Sequence, residues 1–401
     1  MNILYITTKS PLPTNDGHSL RTYNLLRRVA ARHSVSLLSF VKFPVEYDYQ
    51  QELADICEDV ALFPLAENSS KGSLVASAAC NLFSSEPFVV RKYRDQAMLK
   101  AISSKQQQHR IDLVHLDMLP LGVYLENIQR PVLLNAHNVE SALLTRKADS
   151  LPSGPAKWYF AEQARRLARF ERSVVARVTH VVACSDEDKE LLHTMVPSAS
   201  VSVVPNGVDT EHYLPGDSSL IDPARLAFVG GMNWFPNKDA VKWFDEEIIA
   251  RVSELMPSTV LDVIGRPDGD MKLRHPEQII MHGFVKDVRE YLIRAAVVVV
   301  PIRVGGGTRL KVLEAMSMGK AMVSTTVGVE GIRAEHGKHL LLADTPEEFA
   351  QAVFRLQTDG VLRDRLGKAA RSLATEHYQW DVIGQKLLDA YDTMPGLVNH
   401  A

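Results

Sequence analysis

A chain of 401 residues is too long for one ordinary hydrophobic core, and at roughly 100 to 200 residues per domain two units are the simplest arrangement. Its 46% hydrophobic and 23% charged residues exclude the disordered, collagenous and coiled-coil classes. A formal net charge of −3 offers no global attraction to a polyanion, so nucleic acid is excluded as the default partner.

The three cysteines, Cys57, Cys80 and Cys184, are scattered and odd in number, which gives neither a disulfide framework nor a zinc spacing and fits a reducing, cytoplasmic location. The opening MNILYITTKSPLP lacks a basic leader and a small-residue cleavage site, and reads as a first strand. No window approaches the roughly 20 apolar residues that span a bilayer, so any membrane contact is expected to be peripheral.

Along the chain, NILYITT predicts a strand, Ser19 to Ala31 an amphipathic helix, and SVSLLSFV a second strand, the βαβ rhythm of a parallel sheet. IDLVHLD (111–117) and PVLLNAHN (131–138) continue it, followed by a long helical pattern from Pro155 to Arg177 and the strand THVVACS (179–185). Ser185 with Asp188 three residues on predicts a capped helix start. VSVVPNGVD (201–209) adds a strand and a turn.

Between about Asp209 and Asp222 the sequence lapses into turn formers, and the domain boundary is expected there. The rhythm then restarts with RLAFVGGM, STVLDVIG, IIMHGF, VVVVPI and AMVSTTVG, predicting a second parallel α/β domain. The stretch from His377 to Met394 predicts a terminal helix with Trp380, Ile383, Leu387, Leu388 and Tyr391 on one face.

Ligands of open α/β sheets bind outside the carboxyl ends of the strands, so the residues just after each apolar run carry the information. In VVVVPIRVGGGTRLKVLEAM the glycines after a strand let the backbone approach a ligand, free N–H groups at the helix start attract phosphate, and Arg309 and Lys311 add charge. The alternative is a tight turn beside solvated basic residues. Neither the Walker ending nor the dinucleotide-binding spacing is present. Glu314, among Val312, Leu313, Ala315 and Met316, is costly to bury unless hydrogen bonded, and a ribose diol would satisfy it; a surface glutamate is the alternative.

VVVVPIRVGGGTRLKVLEAMSMGKAMVSTTVGVEGI, with SVVPNGVD, LAFVGGMNWFPNKDA, LDVIGRP and MHGFVKDVREYL, resembles the donor domain of the family 4 (group 1) retaining glycosyltransferases over about residues 200–350. The first half resembles that family more loosely, through PLPTNDGHSLRTYNL, NAHNVES and VVACSD. The resemblance implies an α/β chain of GT-B fold: two Rossmann-like parallel-sheet domains facing each other across a cleft, with a C-terminal helix crossing back to the N-terminal domain. The corresponding boundaries are 1–215 for the acceptor side, 216–376 for the donor side and 377–401 for the helix.

That resemblance implies transfer of a hexose-type sugar from a nucleotide-diphosphate donor, a substrate and not a cofactor, to a hydroxyl of a glycan or lipid-linked acceptor. Surface polysaccharide or glycoconjugate assembly at the inner face of the membrane is the expected setting. The expected mechanism is front-side attack with retention and no metal, the departing phosphate taking the proton. By the same resemblance, the helix after Gly306, Gly307 and Thr308 directs its N-terminus at the diphosphate, and Glu314 holds the ribose. Gly283, Phe284 and Val285 clasp the base through main-chain groups, Asp16 and Gly17 belong to a loop near the diphosphate and acceptor, and His137 reaches the donor sugar by donating to an oxygen. Asn138 and Glu140 could orient His137.

Two departures from the family pattern stand out. Gly306 occupies the place of a sugar-contacting glutamate, and Gly231, after Gly230, occupies the place of an arginine that neutralises the diphosphate, with Lys238 offset from the expected lysine. Arg309 and Lys311, with Arg303 nearby, are the expected substitutes, since a departing diphosphate needs positive charge or amides aimed at it. His137, Arg309 and Lys311 are therefore the catalytic candidates. Asp268-Gly269-Asp270 reads as a solvated loop, and the histidines lack zinc spacing. The aromatic and basic helix from Ala156 to Arg177 can lie on anionic lipid or, with Glu162 and Glu171 pairing its arginines, form an ordinary surface helix. A sugar-nucleotide epimerase and a non-catalytic GT-B partner subunit are the alternative readings.

Overall fold

The computed structural model describes residues 1–65, 81, 84–108, 110–267, 269, 271–305 and 308–397. The chain divides into two compact units, Met1–Pro205 with Ile383–Ala401, and Asn206–Val382.

The N-terminal unit is built on seven parallel strands, β1 (Asn2–Thr7), β2 (Ser34–Val41), β3 (Asp59–Pro64), β4 (Leu113–Asp117), β5 (Val132–Ala136), β6 (His180–Ala183) and β7 (Val201–Val203), in the order β3-β2-β1-β4-β5-β6-β7. The chain turns back at β1 and resumes on its other side with β4, so the crevice outside the carboxyl ends of β1 and β4 is a topological switch point, the place where such sheets bind ligands. β4 and β5 are buried at every position because helices cover both faces of a parallel sheet. In register, Ser39 lies beside Thr7, Thr7 beside Asp117 and Asp117 beside Asn135, so a fully buried polar row crosses the sheet near its carboxyl edge.

The second unit repeats the plan with β8 (Asp222–Val229), β9 (Val260–Ile264), β10 (Ile279–Gly283), β11 (Ala295–Val300), β12 (Met322–Ser324) and β13 (Leu341–Leu342), ordered β10-β9-β8-β11-β12-β13. Its switch point lies between β8 and β11. The valine run of β11 is buried throughout, which is why it reads as continuous rather than alternating.

The boundary expected at 215 falls instead between Pro205 and Asn206. The turn-rich stretch belongs to the second unit: Asp209 caps it by accepting from the backbone N–H groups of Glu211 and His212 at 3.1 and 2.9 Å, and Ser317 Oγ donates to the Tyr213 carbonyl at 2.8 Å. The terminal helix Trp380–Asp392 has all five residues of its expected apolar face buried. It joins the N-terminal unit at Ile383, not at 377, and Tyr391 is tied there by a 2.6 Å hydrogen bond to His115 Nδ1.

Candidate functional site

In the second unit, the loops after β8, β9 and β11 converge at the switch point. Gly265, at φ +150°, sits so close to the Gly230 carbonyl that a side chain there would collide with backbone. A Cβ on Gly230 would in turn lie 2.7 Å from both Lys311 Nζ and Asn237 Nδ2. The missing side chains are thus what lets Lys311 reach across from its helix, Leu310–Ser317, to the end of β8. There its ammonium donates to Asn237 Oδ1 at 2.6 Å and lies 4.3 Å from the centroid of the Phe228 ring, while Asn237 Nδ2 donates to the Gly231 carbonyl at 3.0 Å. Among the described residues Lys311 enters no ion pair. Burial, reinforced by Arg309, lowers it to about 7.

The other cations differ. Arg303 is bound by Asp239 through two contacts of 2.7 and 3.1 Å and packs over Trp243, so it is not a free substitute for the absent arginine. Arg309 folds back over Gly305, 3.8 Å from Glu330 and 3.5 Å from the Val327 carbonyl. Glu314 lies one turn beyond Lys311, half-buried; burial raises its carboxyl, against the pull of the Tyr213 hydroxyl and then Lys311. Thr308 is buried, and its carbonyl accepts from Asn206 Nδ2 at 3.2 Å. Gly283 adopts φ +72° at the end of β10, leaving Phe284 75% exposed and Val285 packed against the core. Gly306, Gly307, Asp268, Asp270 and Cys80 lie outside the described residues.

In the N-terminal unit the centre of the switch point is Asp117, the last residue of β4. Its Oδ1 accepts from Asn135 Nδ2 at 2.7 Å and His137 Nε2 at 2.9 Å, and its Oδ2 from Thr22 Oγ1 at 2.6 Å, with His18 Nε2 3.5 Å away. Asn135 is itself oriented by Arg21, whose guanidinium also reaches the carbonyls of Val204 and Pro205 at 2.8 Å each. Burial alone would raise Asp117, but His137 and then His18 overcome it and hold the carboxyl well below its usual range. Burial lowers His137 to about 4, so the pair is carboxylate and neutral imidazole. A carboxylate partner favours the tautomer with the His137 proton on Nε2, which leaves Nδ1 able to accept from a ligand group.

Asp117, and not Asn138 or Glu140, therefore orients His137. The helix Glu140–Asp149 is capped from a distance by Glu171, which accepts from the backbone N–H groups of Glu140 and Ser141 at 2.9 and 3.1 Å; Glu171 does not pair an arginine as expected. Glu162 does, holding Arg165 and Arg166 at 2.7 Å each. On that helix, Pro155–Val175, Trp158 is 61% exposed. Asp16 caps the helix Gly17–Ala30 through the Ser19 N–H at 2.9 Å and pairs with Lys9, so Asp16 and Gly17 lie at the carboxyl end of β1.

Among the described residues, His18, Asp117 and His137 are the one group whose ligand atoms, all within 4.8 Å, could hold a metal ion. Asp117 already receives three hydrogen-bond donors, which suits a hydrogen-bonded network more than a ligand set. Sequence reasoning missed Asp117, His18 and Asn237. Asp117 carried a signal, a carboxylate ending an apolar strand, whereas nothing local marked Asn237.

Two family models match the chain, Glycosyltransferase Family 4 over residues 15–212 and Glycosyl transferases group 1 over residues 223–359. D-inositol 3-phosphate glycosyltransferase of Kribbella flavida is 30% identical over 274 residues, 61% of each chain. The UDP-Gal:alpha-D-GlcNAc-diphosphoundecaprenol alpha-1,3-galactosyltransferase of Escherichia coli is 24% identical, over 46% of this chain and 52% of its own. The match thus spans less than two thirds of these relatives' length. Among solved structures, sucrose-phosphate synthase of Thermosynechococcus elongatus superposes with a TM-score of 0.70 at 15% identity over 98% of both chains. Anabaena HepE in complex with UDP does so with 0.69 at 14% identity, over 98% of this chain and 100% of its own. At such identities the likeness is one of fold, two Rossmann-like domains of the GT-B type.

Proposed function

The chain belongs to the family 4 (group 1) glycosyltransferases, and on that premise we propose that it transfers a hexose-type sugar, with retention and without a metal, from a nucleotide-diphosphate donor to a hydroxyl of a glycan or lipid-linked acceptor. The observation that carries this reading is Lys311 lodged against Gly230 at the β8/β11 switch point. Its ammonium replaces the arginine that Gly231 lacks. A diphosphate arriving there meets Lys311 and the start of the helix Leu310–Ser317, both able to stabilise the charge that develops on departure. Glu314 binds the ribose hydroxyls, main-chain groups around Gly283 bind the base, and Arg309 supplies a second, partly neutralised charge.

The N-terminal unit holds the acceptor by this reading, with His137 accepting from a sugar hydroxyl through Nδ1. Attack of the acceptor hydroxyl on the front face of the anomeric carbon gives retention. Assembly of a surface polysaccharide or glycoconjugate is the proposed setting, with peripheral membrane contact through the face bearing Trp158; among the described residues no helix is long and apolar enough to cross a membrane.

Incubation with a panel of UDP- and GDP-sugars tests the reading. Turnover of one donor, with the product anomer matching the donor by NMR and with activity surviving chelation, is expected. Turnover of none, or epimerisation of the donor sugar without transfer, would overturn it.

A further inference from the structure

The two glycines that follow β8 each face a cation. A Cβ on Gly230 would meet Lys311 Nζ, and one on Gly231 would lie 3.7 Å from both the Cβ and the backbone nitrogen of Arg266, the second residue after β9. Backbone bonds join the two loops: the Gly230 N–H donates to the Ile264 carbonyl at 2.7 Å and the Met232 N–H to the Arg266 carbonyl at 2.8 Å. These bonds fix the point from which the Arg266 side chain starts. Between them, the Gly231 N–H has no acceptor among the described residues. A Cβ on Gly265 would lie 2.7 Å from the Gly231 nitrogen, so the glycine at 265 leaves that amide uncovered. Arg266 is exposed and, among the described residues, enters no ion pair or side-chain hydrogen bond. Arg303 and Arg309 differ, with Asp239 at 2.7 Å and Glu330 at 3.8 Å.

We propose that Arg266 is a further donor-binding residue, whose guanidinium, with the Gly231 N–H, joins Lys311 in holding the diphosphate. This rests on the glycosyltransferase reading above and deepens it. The assignment also accounts for the glycine at 231. Side chains at 231 and 266 would leave the backbone from points 3.7 Å apart, so an arginine at either position starts towards the same volume. Here the end of β9 supplies the charge that the end of β8 lacks.

The two cations do different work. A guanidinium offers its donors as a planar fork that matches two phosphate oxygens, whereas an ammonium acts as a point charge. The Gly231 amide adds a donor already held in place by its neighbours' hydrogen bonds, of the kind that needs no reorganisation when an anion arrives. Every group in this seat belongs to the second unit.

The test is calorimetric titration of the full chain with UDP, GDP, uridine and guanosine. Loss of a charge-assisted contact should weaken whichever diphosphate the wild type binds by about tenfold or more in Arg266→Gln. Affinity for the matching nucleoside should stay within about twofold, because the fork touches only phosphate. Gly231→Arg, added to Arg266→Gln, is expected to recover about threefold or more of the loss. The new side chain meets only the flexible end of Asn233, whose Oδ1 lies 2.5 Å from the added Cβ. The melting temperature of Arg266→Gln should match the wild type, since the side chain is exposed. Unchanged diphosphate affinity in Arg266→Gln, a loss shared equally by the nucleoside, or a loss that Gly231→Arg leaves untouched would each overturn the assignment. Failure of the wild type to bind either diphosphate would instead overturn the reading on which it rests.

Discussion

The two switch points are opposites built on one topology. In both units the chain runs outward to a third strand and resumes beside the first, so both place a cluster of loops at the carboxyl ends of the two central strands. At β1/β4 the centre is a buried carboxylate surrounded by donors, with two imidazoles at its edge. At β8/β11 it is a buried ammonium reached across side-chain-free backbone, with arginine beside it. The Rossmann plan fixes where a ligand binds, and the residues at the strand ends fix the sign of the charge it meets. A buried carboxylate already saturated with donors organises the loops around it, whereas a buried ammonium without an ion-pair partner among the described residues is able to meet an arriving anion.

The widest separation of the two is expected from Asp117→Asn. An amide in place of a buried carboxylate disrupts contacts to Asn135, His137 and Thr22, and loss of such a network costs about 3 kcal/mol. The melting transition of the N-terminal unit should fall by several degrees while UDP affinity is retained. The reverse pattern is expected of Lys311→Met. Loss of a charge-assisted contact costs about 1.5–3 kcal/mol, so diphosphate affinity should fall roughly 10- to 100-fold, measured by calorimetry. Stability should be kept or improved, because a buried ammonium is replaced by an apolar chain of similar shape. Equal losses of stability and affinity in both variants would erase the comparison.

Acid and base separate the units further. His137 is lowered to about 4 and His115 to about 3, both chiefly by burial, so between those values and roughly 6.5 the unfolded chain binds protons that the folded chain does not. Stability of the N-terminal unit therefore falls as pH drops through that window. Asp117, depressed, adds a loss at still lower pH. For Lys311, lowered to about 7, the unfolded chain holds the extra proton up to roughly 10.4, so the second unit gains stability as pH rises above 7. Separate unfolding transitions followed against pH check both signs. The smallest effect is expected at Phe284, whose exposed ring leaves Phe284→Ser within about 0.5 kcal/mol of wild-type stability. Nucleotide affinity should change less than about threefold if main-chain groups hold the base.

Much of this was legible in the sequence because parallel strands announce themselves as apolar runs; SVSLLSFV is β2 to the residue. Ser185 caps its helix as its spacing implied, accepting from the Asp188 N–H at 3.0 Å. The strands not foreseen, β3 and β13, are the partly exposed edge strand DVALFP and a two-residue pairing at Leu341–Leu342, each too weakly patterned to stand out. The Gly-rich loop placed Lys311 correctly near a strand end, but its seat depends on Gly230 and Asn237, many residues away. Likewise Asp117 meets Asn135 through strand register and His137 through a loop, pairings that only the folded sheet creates.

The central claim is that the β8/β11 switch point seats a nucleoside diphosphate. Calorimetric titration of the wild type, Lys311→Met and Glu314→Ala with UDP and GDP tests it most directly. One diphosphate should bind the wild type, and both substitutions should weaken it at least tenfold, about 1.4 kcal/mol, without unfolding the chain. Binding of neither diphosphate, or equal affinity in all three proteins, would contradict it.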